Sequence, residues 1–207
     1  MSKNKVKFNI CNVHYAPLIE ADDGTISWET PTAIPGAVSL SLDPNGEPEP
    51  FYADGIAYYI VNNNMGYEGD LEIALIPEWF RTDVLQETLD ANGVLVENSN
   101  ITDNVKFALL FEFDGDKNCI RHVLYNCTSS RPSIESETKE DAIEPGTEKL
   151  SITADPRGDG LVKARTGDTT DEETYNNWYS AVYLPTEEKA AKVTTSSTAS
   201  KSTKASE

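Results

Sequence analysis

The sequence predicts a mainly β protein: a β-sandwich or half-barrel with one flanking α-helix and a short C-terminal helix. Three observations carry that prediction. Apolar residues alternate with polar ones at Val38, Leu40 and Leu42, at Leu71, Ile73 and Leu75, and from Val105 through Phe107, Leu109, Phe111 and Phe113, the period of a strand with one buried face. Clusters of Asp, Asn, Pro and Gly lie between such runs, where the chain has to reverse. Helical spacing of apolar residues occurs in only two short stretches.

Taken in order, Val6 to Tyr15 is the first expected strand, and Gly24 to Trp28 continues it after the Asp22-Asp23-Gly24 turn. Val38 to Leu42 follows, with Ser39 and Ser41 on a wet face. Asp43-Pro44-Asn45-Gly46 is a turn signal, because proline presets φ and glycine accepts a positive one. Residues 47–53 can return from that turn as a strand, which Pro48 and Pro50 place at a sheet edge or demote. Ala57 to Asn64 reads as a long loop or hairpin leading into the core strand at Leu71.

Pro77 stands at the first position of a helix, where its missing N–H costs nothing. Phe80, Val84, Leu85 and Leu89 give that helix an apolar stripe, and Glu78 and Asp83 suit the positive end of its dipole. Val105 to Phe113 and Ile120 to Thr128 form a long antiparallel hairpin across the turn 114–118. Residues 129–147 are polar and read as extended chain and loop. Leu150, Ile152 and Ala154 supply the next strand, and the Pro/Gly run 155–160 ends it. Thr170 followed by Glu173 is a capping-box pattern opening a second helix, whose apolar face is Tyr175, Trp178, Tyr179 and Val182. Residues 1–185 therefore read as one domain. From Thr186 the composition shifts to Ala, Lys, Ser and Thr, so 186–207 is expected to be a disordered tail.

The chain has 207 residues, 35 acids against 17 bases, and a formal net charge of −18. The tail carries four lysines and three glutamates, which leaves about −19 in the body. That charge argues against direct wrapping of nucleic acid, because affinity for phosphate comes from Lys and Arg. Cys11, Cys119 and Cys127 are too few and too unevenly spaced for a disulfide framework, and buried thiols in a reducing compartment are expected. The basic start MSKNKVKF has no apolar segment behind it and does not read as a signal peptide. No apolar run approaches the ~20 residues of a membrane span.

Nothing in the chain has the pattern of a catalytic or metal centre. His14 and His122 lie on expected strands, outside any metal-binding spacing, and read as packed or surface histidines. No Gly-x-Ser-x-Gly elbow and no Gly-rich phosphate loop occur. Asp114-Gly115-Asp116 begins like a calcium loop but lacks the glycine and the distal glutamate that such a loop needs. Arg157-Gly158-Asp159 sits in a Pro/Gly turn and reads as a coincidental tripeptide. Catalytic residues, metal and cofactor are accordingly expected to be none. The aromatic group Phe51, Tyr52, Tyr58, Tyr59 and Tyr67 has two readings: strand packing, or contact with another protein, where tyrosine is enriched.

Long blocks of the chain resemble one family, the major tail (tail tube) proteins of long-tailed bacteriophages of Gram-positive bacteria. The blocks are IPGAVSLSLDPNGEPEPFYADGIAYYIVNNNMGYEGDLEIALIPEWFRTDVL, FALLFEFDGDKNCIRHVLYNCTSSRPS, IEPGTEKLSITADPRGDGLVKARTGD and YNNWYSAVY. Together they span most of the body, from about Val6 to Leu184. The resemblance implies a non-enzymatic structural subunit of the virion, forming hexameric rings that stack into a hollow conduit for DNA. It implies a tail-tube-like fold with Pro77–Thr88 as the flanking helix and the hairpin 105–127 in the sheet lining the shared inner barrel.

On the same resemblance, the excursion 43–66 reaches the next ring. Its contact candidates are Asp43, Asn45, Phe51, Tyr52, Asp54, Tyr58, Tyr59, Asn62, Asn63, Asn64 and Tyr67. The implied partners are other copies of the chain together with tape-measure, tail-terminator and distal-tail proteins. DNA would pass through without specific binding, and no membrane is involved. Assembly would take place in the bacterial cytoplasm. An acidic body suits a lumen that must not hold DNA. The competing reading is a monomeric β-sandwich module that binds carbohydrate or a cell surface through Trp28, Trp79 and the tyrosines.

Overall fold

The computed structural model of the chain describes residues 8–100, 105–114, 119–135 and 146–186. The first part of the chain gives seven strands: β1 (Ile10–Glu20), β2 (Ile26–Trp28), β3 (Thr32–Ala33), β4 (Ala37–Pro44), β5 (Glu49–Ala53), β6 (Ile56–Val61) and β7 (Tyr67–Ile73). Helix α1 (Glu78–Asp83) and the two-residue strands β8 (Thr88–Leu89) and β9 (Leu95–Val96) come next. The remainder is β10 (Phe107–Phe113), β11 (Arg121–Ser129), β12 (Glu148–Ala154), β13 (Lys163–Arg165) and α2 (Glu172–Asn176). The protein is mainly β with two short helices, and its strand pairings are antiparallel.

One sheet dominates, in the order β2-β1-β10-β11-β12-β7-β4, with β3 added to β1 and β13 to β11. It curls so that β4 comes back beside β1. The alternation of β10 explains why both of its faces are apolar. Phe107, Leu109 and Phe111 point into the inner core with Tyr15, Leu71, Ile73, Leu150 and Ile152. Ala108 and Leu110 point the other way, to a second core with Ala16, Val123, Tyr125 and Trp178. Each large apolar side chain removed from water in this way contributes about 1.5–3 kcal/mol.

Two bulges keep the alternation in phase with these cores. The β1–β10 register shifts between Cys11 and His14, where Asn12 takes φ 51°. That extra residue lets Ile10, Val13 and Tyr15 share one face. The β10–β11 register shifts in the same way opposite Phe107 and Leu109, so Tyr125 faces the outer core and Cys127 the inner one.

Helix α1 closes one end of the inner core with Phe80, whose ring meets Tyr15 edge-on at 5.0 Å and Phe107 at 5.7 Å. It is shorter than the 77–88 span that the resemblance implies and than the apolar spacing out to Leu89. Pro77 is its N-cap, Val84 its C-cap, and the backbone leaves the helix at Gln86 with φ 58°. Arg81 is held there by Glu87 at 3.3 Å and Glu148 at 2.8 Å. Leu89 is therefore exposed on β8, and Asp83 lies at the C-terminal end of the helix instead of the end its charge suits.

Other expectations shift in register. The first strand starts at Ile10 and runs on to Glu20, with residues 1–7 outside the described part. Leu75 is 69% exposed, because β7 ends at Ile73 and the backbone turns to Ile76 for the core. The cap of α2 is Asp171, whose carboxylate accepts from Thr174 N–H at 2.8 Å, one residue after the expected Thr170. Of the three thiols only Cys127 is buried; Cys119 is exposed and Cys11 half-buried. The turn 115–118, most of the expected loop 129–147 and the tail from 187 fall outside the described residues.

Candidate assembly interface

The segment between β4 and β7 departs from the expected arrangement. Residues 47–53 do not return along β4. They form β5, which pairs only with β6, and the two make a ribbon separate from the main sheet. The turn that makes the ribbon is Asp54-Gly55, with φ of 52° and 77°, between the paired residues Ala53 and Ile56. Two consecutive positive φ values are the requirement of a tight type I′ hairpin, and Asp-Gly is its sequence signature. That dipeptide is the signal the sequence reading passed over in favour of Asp43-Pro44-Asn45-Gly46.

The ribbon leaves the body through a narrow clamp. Asn45 N–H donates to Gly66 O at 2.9 Å, and Met65 N–H donates to Asn45 O at 3.0 Å. Gly66, at φ 94°, lies so close to Ala154 that a Cβ there would overlap its carbonyl oxygen. Asn64 fixes the same turn by accepting from Gly66 N–H at 3.1 Å.

Beyond the clamp no residue of β5 or β6 is buried. Phe51, Tyr52, Ile56, Tyr58, Tyr59, Ile60 and Val61 are each half or more exposed. Phe51 opposes Tyr59 on one face and Pro50 opposes Ile60 on the other, so the arm is apolar on both sides. A two-stranded ribbon alone in water is marginal, and an apolar patch of this kind marks a contact surface.

The structure divides the candidate residues. Phe51, Tyr52, Asp54, Tyr58 and Tyr59 lie on the arm, and Asn62 and Asn63 on its exposed return. Asn45 and Asn64 belong to the clamp. Asp43 and Tyr67 are not on the projection. Asp43 pairs with Glu68 in the β4–β7 ladder, and Tyr67 with both Pro44 and Ala154.

Tyr67 instead borders a cavity of about 400 Å³ at the mouth of the curled sheet, where β13 and the start of β11 diverge from β4 and β7. Its walls mix apolar and aromatic side chains, Leu40, Leu42, Phe111, Phe113 and Leu124, with the polar groups of Ser41, His122 and Lys163. His122 stacks on Phe111 with centroids 5.1 Å apart and planes 6° from parallel. Lys163 stands at the rim, its ammonium 4.2 Å from the Tyr67 ring centre and bonded to the Tyr67 hydroxyl. The sequence reading missed this mouth because its walls come from strands far apart in the chain.

The other singled-out residues have packing roles. His14 lies against the Tyr179 ring at 4.5 Å, with Nδ1 2.9 Å from Asn12 O. Arg157 is folded inward over Trp28 at 5.0 Å and pairs with Asp159 at 2.8 Å, a geometry that withdraws the Arg-Gly-Asp guanidinium from an approaching protein. Trp28 itself donates to Tyr125 O at 3.2 Å, while Trp79 is 47% exposed on α1. Among the described residues no group of three His, Cys, Asp or Glu could hold a metal ion, and no helix is long and apolar enough to cross a membrane. No protein-family model and no curated protein matches the chain.

Proposed function

We propose that the chain is a non-catalytic structural subunit that assembles with copies of itself, as the tail-tube protein of a long-tailed phage. On this reading, rings of six stack into a hollow tube in the virion, and DNA leaves through the lumen. The carrying observation is the β5–β6 arm, a ribbon apolar on both faces that is left exposed among the described residues. A subunit that meets others head to tail at a growing interface needs such an exposed element to fit a different surface of its neighbour. The resemblance of the four sequence blocks supports the same reading. So does a body of about −19, because a lumen of that sign repels passing phosphate. Tape-measure, terminator and distal-tail proteins are its further proposed partners.

Negative-stain electron microscopy of the concentrated protein tests the reading. Hollow tubes with a regular axial repeat are expected from the wild type. Folded particles that do not elongate are expected when residues 47–63 are replaced by a short Gly/Ser link. Persistent monomers of the intact chain would sink it. The aromatic-lined mouth is the observation that favours the competing reading, a monomeric carbohydrate-binding module. That module would stay monomeric and bind glycans.

A further inference from the structure

We propose that the mouth between β4, β7, β11 and β13 is the receptor for the arm of a second copy of this chain. The inference rests on the self-assembly reading and assigns the surface on which the arm lands. An arm with apolar residues on both faces, Phe51 and Tyr59 against Pro50 and Ile60, is not satisfied by a flat surface. It needs a cleft that takes in some of its side chains. The mouth is one, open to solvent, about 400 Å³ in volume and lined by Leu40, Leu42, Phe111, Phe113 and Leu124 together with polar groups of Ser41, His122 and Lys163.

Charge selects the pairing. In a strongly acidic body, the three-residue strand β13 places Lys163 and Arg165 on one face, beside the cavity, both exposed. The arm and its approach carry Glu47, Glu49 and Asp54, also exposed. Opposite charges at the rim steer the encounter and fix its register, while apolar burial holds it.

The occupant comes from another molecule. None of residues 49–61 lines the cavity, although the arm begins at its rim, where Pro44 pairs with Tyr67. The clamp at Asn45, Met65 and Gly66 sets the take-off, and strands of five and six residues carry the turn roughly 17–20 Å away. Pro50 contributes no N–H to pairing, so side-chain insertion, rather than strand addition along β5, makes the contact.

Disulfide trapping between two full-length proteins decides it. Both carry Cys11→Ser and Cys119→Ser, leaving only the buried Cys127. One adds Tyr58→Cys on the arm and the other Leu42→Cys, on the half-buried wall of the mouth. Mixed under mild oxidation, they are expected to give the mixed disulfide about tenfold or more above a Tyr58→Cys and Lys106→Cys control, because docking raises the local thiol concentration. Lys106 lies just before β10, at the end of that strand away from the mouth. Normal tubes without the mixed disulfide would overturn the mouth as receptor and leave the tube reading standing. The mixed disulfide without tubes would keep the contact and remove the tube. Neither product would remove both.

Discussion

The hydroxyl of Tyr15, on a residue with no exposed surface, donates to the Asp83 carboxylate at 2.6 Å and ties the middle of β1 to the last turn of α1. The two ends of this bond are not equivalent, because Asp83 is exposed and Tyr15 is not. Tyr15→Phe removes the donor and leaves a carboxylate that water can solvate, a loss of about 1 kcal/mol. Asp83→Ala leaves the Tyr15 hydroxyl buried without its acceptor, a loss of roughly 1–3 kcal/mol. Urea unfolding of the two variants is expected to rank Asp83→Ala as the more damaging. The reverse order would show that the hydroxyl finds another partner.

Arg121 holds α2 against the sheet in the same manner. Its Nε is 3.1 Å from Glu112 Oε2, its guanidinium lies 4.0 Å from the Tyr175 ring centre and 5.0 Å from that of Tyr179, and it donates to Tyr175 O. Glu112 is 8% exposed, so Arg121→Ala leaves a nearly buried carboxylate without its cation and with the Asn12 amide still donating to it. A loss of about 3 kcal/mol is expected. Arg121→Lys is expected to recover less than half of it, since an ammonium cannot both fork to Glu112 and stack between two rings. Trp178, whose indole N–H donates to His122 O beneath α2, provides the fluorescence readout. Unchanged Trp178 emission and melting temperature in Arg121→Ala would refute the clamp.

The strands, the acidic body and the projection between β4 and β7 were legible in the sequence because each depends on local spacing. The hairpin β10–β11 is legible for that reason: Phe107, Leu109 and Phe111 announce their shared face whatever they meet. Residues 47–53 do contain a strand, Glu49–Ala53, but its partner is β6, because Asp54-Gly55 fits a two-residue hairpin loop better than Asp43-Pro44-Asn45-Gly46 does. The apolar spacing overruns helix α1, because Leu85 and Leu89 continue the helical period past its last residue, Asp83. The chain obeys instead the tertiary pull of Arg81 on Glu148, 67 residues away. The mouth was not legible at all. Leu42, Phe113 and Lys163 have no relation in sequence and meet only because β11 passes from β12 to β13 as its neighbour.

Burial divides the nine tyrosines by their response to alkali. Burial raises the phenols of Tyr15, Tyr125 and Tyr179 well above their ordinary value of 10.0, and the bond to Asp83 raises Tyr15 further. Each has a higher pKa folded than unfolded. Its contribution to stability is therefore complete below pH 10 and is lost as pH rises above it. Absorbance at about 295 nm is expected to show these three phenols ionising only as the protein unfolds. Tyr15→Phe is expected to flatten the alkaline decline in stability. A single smooth titration of all nine, with no unfolding step, would contradict the burial assigned here.

Function is tested most directly on the arm, because its residues cost the monomer almost nothing. Phe51, Tyr58 and Tyr59 are 61%, 70% and 64% exposed, so replacing all three by serine is expected to change the unfolding free energy of the body by no more than about 0.5 kcal/mol per site. The same side chains would be the anchors of an assembled interface, where tyrosines buried at the centre carry about 2 kcal/mol or more each. The triple variant is therefore expected to melt with the wild type and to stay a monomer in sedimentation velocity at concentrations where the wild type elongates. Lys106→Ser serves as the control, expected to assemble as the wild type does, because Lys106 lies just before β10, away from both the projection and the mouth. Assembly of the triple variant at wild-type concentration would remove the arm from the interface. Loss of assembly accompanied by a lowered melting temperature would place these rings in the fold of the monomer.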